Sequence, residues 1–247
     1  MFRNMSKMRT LYAVRLLCRI IVFIICAVVL LVRPQTYDLL QGWNFFKKLS
    51  PLHILWVVWI IDMVEQLVPV KAQTHIALGS LKLWKTNFRP ILEKVNVKAL
   101  KEYIAYTTKY AMWVLVLWLA LVGALGVLRF TNVIGDNVLF LCTVAFYVCD
   151  LICVLIWCPF RLIMRTKCCT TCRIFNWDHM MMFSPMLFVK GFYGWSLLAI
   201  GLVALAVWEI FIFLHPERFW AESNAALKCA NCTDKLCTQY CQKLRKK

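Results

Sequence analysis

Acidic residues are scarce in this chain of 247 residues: 12 Asp and Glu stand against 29 Lys and Arg, for a formal net charge of +17. No basic stretch is interleaved with base-stacking aromatics, so that charge does not read as nucleic-acid binding. No CxxCH pattern occurs, which excludes haem attachment of the c type. No small-residue cleavage site follows the first apolar run, which ends in Arg33-Pro34-Gln35. That run therefore reads as a retained span, not a secretory signal. No internal repeat is visible, so an inverted-repeat transporter gains no support.

What the chain has instead is apolar length. Hydrophobic residues make up 62% and mean hydropathy is +0.69, against about 45–50% apolar in soluble domains. A helix needs about 20 apolar residues to cross a hydrocarbon core. Leu11–Val32, Tyr110–Leu128, Val138–Met164 and Met186–Leu214 meet that length, and Leu52–Val70 meets it with Asp62 and Glu65 inside. The expected fold is all-α, an integral membrane helical bundle of about five spans, or four if the second run lies at the interface. Residues 1–215 form the expected bundle and 216–247 a Cys-rich extramembrane tail. The bilayer is then the principal partner, with anionic lipid headgroups against the basic loops and a second membrane protein as a further partner.

Orientation follows from Lys and Arg near the span ends. With the N-terminus inside, the inner segments carry 15 and the outer segments 11. The inner side takes the basic loop 71–109 and the Cys-rich loop 161–184, and five spans put the tail outside. Within 71–109, Ile91, Leu92, Val95, Val97, Leu100, Tyr103 and Ile104 alternate with Lys94, Lys98 and Lys101, the pattern of an amphipathic helix on a leaflet surface. Trp43, Trp113, Trp157 and Trp220 fall near span ends as interface anchors.

Ten of the thirteen cysteines form three groups. The inner loop holds Cys168, Cys169 and Cys172, followed by Asp178 and His179. Cys169 and Cys172 have the CxxC spacing that serves one metal or one disulfide. His179 offers a third ligand, with Cys168 or Asp178 as a fourth, while Arg165, Lys167 and Arg173 would favour thiolates. Juxtamembrane acylation and inert thiols are the other readings. The tail holds Cys229, Cys232, Cys237 and Cys241, which suit a four-thiolate zinc, a small iron–sulfur cluster or two disulfides. Taken as one helix, the run Met186–Leu214 is about 43 Å long and keeps the two groups a membrane apart. Cys142, Cys149 and Cys153 share one face of the fourth run, where small thiols suit helix packing.

Ionisable groups inside spans are costly and tend to face the bundle interior or a wet cavity. Asp62, Glu65, Asp150 and Glu209 are the intramembrane acids, with Arg15, Arg19 and Lys190 as available partners. They read as structural ion pairs or as a proton or ion path. His53 and His215 fall at outer span ends and His75 and His179 at the inner side. Two stacked haems need such a layout, but His75 lies outside any span and haem is not expected.

The strings Cys168-Cys-Thr-Thr-Cys-Arg-Ile-Phe-Asn-Trp-Asp-His179, His215-Pro-Glu-Arg-Phe-Trp220 and Cys229-Ala-Asn-Cys-Thr-Asp-Lys-Leu-Cys237 resemble a family of bacterial multi-spanning membrane proteins to which no activity is assigned. The resemblance implies a bacterial cytoplasmic membrane, weights metal or redox chemistry over acylation, and implies no mechanism. The leading expectation is metal- or thiol-dependent redox work, electron transfer or metal handling at the membrane. The alternatives are a small-solute or ion transporter using the intramembrane carboxylates, and a scaffold whose metal sites are structural. Whether the chain is an enzyme is left open.

Overall fold

The computed structural model describes residues 7–67, 84–91, 96–165, 172–228 and 231. Among them there is no strand, and seven α-helices are joined by short 3-10 turns: α1 (Lys7–Val32), α2 (Leu52–Leu67), α3 (Val97–Phe130), α4 (Asp136–Leu155), α5 (Phe160–Met164), α6 (Asp178–Phe183) and α7 (Phe192–Leu214). Four of them, α1, α3, α4 and α7, are long and apolar enough to cross a membrane.

Local sequence explains the ends. Pro34 opens a 3-10 turn directly after α1. Asn96 caps α3, its side chain accepting from the backbone N–H groups of Lys98 and Ala99 at 3.0 and 3.2 Å, which satisfies two otherwise orphaned donors. Of the amphipathic stretch expected on the leaflet, the part from Val97 to Ile104 forms the first turns of α3, while residues 92–95 lie outside the described residues. At 34 residues, α3 is about 51 Å long, well beyond a hydrocarbon core. Asn132, at φ 59°, turns the chain from α3 into α4, and Arg129 grips Asp136 across that turn at 2.6 Å.

Of the second apolar run, Leu52–Leu67 is helix, and residues 68–70 lie outside the described residues. The helix α2 has 16 residues, about 24 Å, and it turns one face inward while Ile54, Val57, Val58, Ile61 and Val64 stay exposed. Trp59 is wholly buried against the rings of Phe140, Tyr147 and Phe183, with centroids at 5.9, 5.7 and 5.2 Å. The fourth run, expected to continue to Met164, stops at Leu155, and Pro159 opens the short α5.

The largest departure concerns Met186–Leu214. Its first residues are not part of α7. Residues 172–190 form a broken segment: a 3-10 turn at Ile174–Asn176, then α6, then a second 3-10 turn at Ser184–Phe188 that starts beside Pro185. This segment runs the length of the bundle. Ser184 meets Trp118 of α3 at 3.1 Å. Phe188 lies against Gly126, where a Cβ would come within 2.6 Å of its ring. Met182, Phe183, Met186 and Val189 are buried. Irregular backbone of this kind is tolerated where protein surrounds it, and the polar Asn176, Asp178, His179 and Ser184 hid this passage along the bundle from a hydropathy reading.

With that passage, α7 begins beside Gly42, which pairs with Gly191, and ends beside the segment before α3. Asn224 bridges to Pro90, Ala225 N–H donates to the Arg89 carbonyl at 2.8 Å, and Trp220 stacks on Tyr103 at 5.8 Å. The bundle therefore has two distinct ends. The basic end holds Lys7, Leu67, Val97, Leu155, Cys172, Leu214 and residues 216–228. The aromatic end holds Val32, Leu52, Phe130, Asp136 and Phe192. The expectation that residues 216 onward and the loop 161–184 lie on opposite faces does not hold for the described residues.

Candidate functional site

Helices α1, α2 and α4 bring their charged residues to one level near the basic end. The Arg19 guanidinium donates to Asp150 at 2.8 Å and to the Tyr147 carbonyl at 2.7 Å, lies 3.7 Å from Asp62, and sits 3.7 Å above the Tyr147 ring. The Tyr147 hydroxyl reaches Asp62 at 3.4 Å. One turn further along α2, Gln66 Nε2 lies 3.0 Å from His179 Nδ1 and donates to Asp178 at 3.5 Å. Asp178 also meets His179 Nδ1 at 2.8 Å. These groups, with Arg15 and Glu65, line a polar cavity of about 60 Å³. Asp62, Glu65 and Asp150, picked from the sequence as separate intramembrane acids, are thus one cluster. Among the described residues, Asp150 and Asp62 share the Arg19 guanidinium, which offsets part of the cost of burying them.

Glu209 does not join them. It receives a bidentate clasp from Arg173 and a 2.7 Å hydrogen bond from the Trp177 indole. The Arg173 guanidinium, expected beside the loop thiols, is turned instead toward α7 and Thr108. Arg165 lies over the Tyr110 ring at 5.9 Å. Lys190 lies at the aromatic end, away from the acid cluster.

Beyond Asp150 and Asp178 lies a second cavity, about 240 Å³, lined by Trp118, Phe146, Phe160, Phe175, Met181 and Met182 and by four thiols: Cys149, Cys153, Cys158 and Cys172. Cys158 went unremarked in the sequence. The helix end places it: α4 loosens its last turn, the Trp157 N–H reaching back five residues to the Ile152 carbonyl at 3.0 Å, and the chain folds over itself. The thiols of Cys153 and Cys158 come into hydrogen-bonding contact. That contact, with the backbone N–H groups of Phe160 and Arg161 and the Arg161 charge, lowers the Cys158 thiol to about 7 despite its burial. The sequence signal was a C-x4-C across a helix end, masked because Cys153 also fits a packing stripe with Cys142 and Cys149.

Cys172 is buried in the wall of this cavity, while the His179 Nδ1 is engaged by Asp178 and Gln66. Among the described residues, no group of three or more His, Cys, Asp or Glu has the arrangement of a metal site. Cys168, Cys169, Cys229, Cys232, Cys237, Cys241, Lys167 and His75 lie outside the described residues. His53 Nδ1 accepts from the Ser50 N–H at 3.2 Å and its Nε2 lies 2.8 Å from the Phe45 carbonyl, whereas His215 stands at the basic end beside Glu217 at 3.3 Å, so the two histidines expected at outer span ends lie at opposite ends of the bundle.

No protein-family model, no curated protein and no solved structure matches the chain.

Proposed function

We propose that this is a membrane-embedded thiol redox protein in which Cys158 is the reactive thiolate and Cys153 its partner. The supporting observation is the contact of these two thiols in the wall of a cavity that Cys172 also lines. A dithiol in contact gives up two electrons as it becomes a disulfide, and a thiol near neutral pKa is the efficient attacking partner. Cys172 ends the CxxC begun by Cys169, so exchange with it would connect the cavity to the loop cysteines. Asp150 and Asp178 line both cavities and are placed to receive the protons that oxidation releases.

A bilayer around α1, α3, α4 and α7 completes the reading. The aromatic end has only Arg33, Lys47, Lys48, Arg129 and Lys190 as described cations, and the basic end outnumbers it, which supports a cytoplasmic basic end. The resemblance of the chain would make that membrane a bacterial cytoplasmic one. A second reading, passage of protons or cations through the cluster of Asp62, Glu65, Asp150 and Asp178, is favoured by the polar cavity around Arg19.

The test oxidises the purified protein in detergent with diamide, which takes up two electrons and two protons. The expected product is a Cys153–Cys158 disulfide, seen by peptide mass spectrometry after blocking free thiols. Recovery of both cysteines as free thiols, while other cysteines are oxidised, overturns the redox reading. Unchanged proton flux in vesicles carrying Asp150→Asn or Glu65→Gln protein overturns the transport reading.

A further inference from the structure

We propose that the cavity beside Cys158 takes a lipid-soluble quinone, which accepts the two electrons of the Cys153–Cys158 dithiol; this rests on the thiol redox reading above. An oxidant for this dithiol has to reach it. Cys153 and Cys158 sit in the wall of a mostly apolar cavity, Cys153 half-buried and Cys158 buried. A hydrophilic oxidant would have to shed its water to enter, whereas an apolar ring gains by entering.

The size and lining fit a ring. At about 240 Å³ the cavity exceeds the roughly 150 Å³ of an apolar cavity that takes up benzene. Trp118, Phe146, Phe160 and Phe175 offer flat faces, and Met181 and Met182 offer the adaptable thioether surface that packs against aromatic rings. Trp118 already meets Phe146 and Phe160 at 4.9 and 6.3 Å, so the walls are an aromatic set with a gap in it. The cavity also reaches the side of the bundle: Cys149, on its rim, is exposed on the flank of α4, where a bilayer-dissolved molecule arrives laterally.

The polar groups are few and placed for the chemistry. Arg161 lies beside Cys158 and can favour the charge that develops on a quinone oxygen. Asp150 and Asp178 complete the lining. The reaction balances as follows. The Cys158 thiolate bonds to a ring carbon. The Cys153 sulfur then attacks the Cys158 sulfur, forming the S–S bond and breaking the bond to the ring. The ring leaves with both electrons. Of the two protons of the quinol, one comes from Cys153 and one from the Asp150–Asp178–His179 cluster, which refills from water. The dithiol is oxidised and the quinone reduced, the downhill direction for an ordinary dithiol.

The experiment uses the full chain with its thiols reduced, in detergent and without oxygen. Ubiquinone-1 is the probe, because its ring is fully substituted and does not simply arylate thiols. The expected result is stoichiometric loss of the oxidised-quinone absorbance together with a Cys153–Cys158 disulfide. Cys158→Ser should lower quinone reduction at least tenfold. Cys149→Trp, which narrows the rim, should slow quinone reduction at least tenfold more than it slows oxidation by diamide; Cys149→Phe serves the same purpose if the larger ring unfolds the protein. A Cys153–Cys158 disulfide with diamide but no reduction of ubiquinone-1 overturns this inference and leaves the redox reading standing. Equal slowing of both oxidants by the rim variants overturns the cavity as the quinone site. Failure of diamide to join the two cysteines overturns both.

Discussion

The two ends of the bundle are built from similar residues and behave oppositely. At the aromatic end the polar groups serve the fold itself. The Gly42 N–H donates to the Lys190 carbonyl at 2.7 Å and the Phe192 N–H returns to the Gly42 carbonyl at 3.0 Å. His53 ties Ser50 to Phe45 through its two ring nitrogens, and Arg129 has Asp136. Trp43, Phe45, Phe46 and Phe192 pack as one ring cluster. At the basic end, several acids share Arg19, and four thiols face a cavity. The difference teaches that the first end is closed by geometry, whereas the second keeps chemically active groups side by side.

The comparison breaks most completely if the ends are wrongly drawn. In a background without native cysteines, single cysteines at Lys85 and Glu222 should label with impermeant maleimide from one side of the membrane and a cysteine at Leu49 from the other. Labelling of 222 together with 49 would return the tail to the side first expected from hydropathy.

Next in size is Gly191→Ala. A Cβ there would lie 1.8 Å from the Leu40 carbonyl oxygen, so the paired backbones must separate. A loss of about 4 kcal/mol or more is expected, read as a collapse of the melting temperature in detergent. A Tm within a few degrees of wild type would show that the aromatic end is not closed as described.

Arg19→Ala removes the cation held between Asp150 and Asp62 and should cost about 3 kcal/mol, since breaking a buried pair leaves an uncompensated charge. Pairing it with Asp150→Asn should restore part of that, with a coupling of about 0.5–3 kcal/mol. Strict additivity in thermal melts would mean that the charges do not act as a set.

At the thiol pair the effect is on pH rather than on folding. Alkylation of Cys158 should rise with pH to a midpoint near 7, against about 8.5 for an ordinary cysteine. In Cys153→Ala the midpoint should move up, because its hydrogen bond is the first cause of the lowering. An alkylation midpoint that ignores residue 153 would separate the two thiols. The smallest effect is expected at Gly123, where a Cβ meets nothing within 4 Å. Gly123→Ala should raise stability by up to about 1 kcal/mol, a benign contrast to Gly191.

Much of the architecture was legible before any coordinates. Long apolar runs mark α1, α3, α4 and α7 because lipid-facing helices must be apolar around most of their surface. Asp62, Glu65 and Asp150 stood out because charge inside such a run is costly. The Cys153–Cys158 contact was not legible, because it depends on how one turn loosens at the end of α4. Nor was the direction of Arg173, since a long flexible side chain chooses among partners that only packing supplies.

The sequence by itself determined an all-helical chain with apolar lengths suited to a bilayer and the acids that must pair within it. Only the tertiary structure decided the passage at residues 172–190. A segment wrapped in protein needs neither continuous helix nor continuous apolarity, so hydropathy passes over it. One extra passage along the bundle then reverses the end at which everything after it, including Glu209 and residues 216–228, is found.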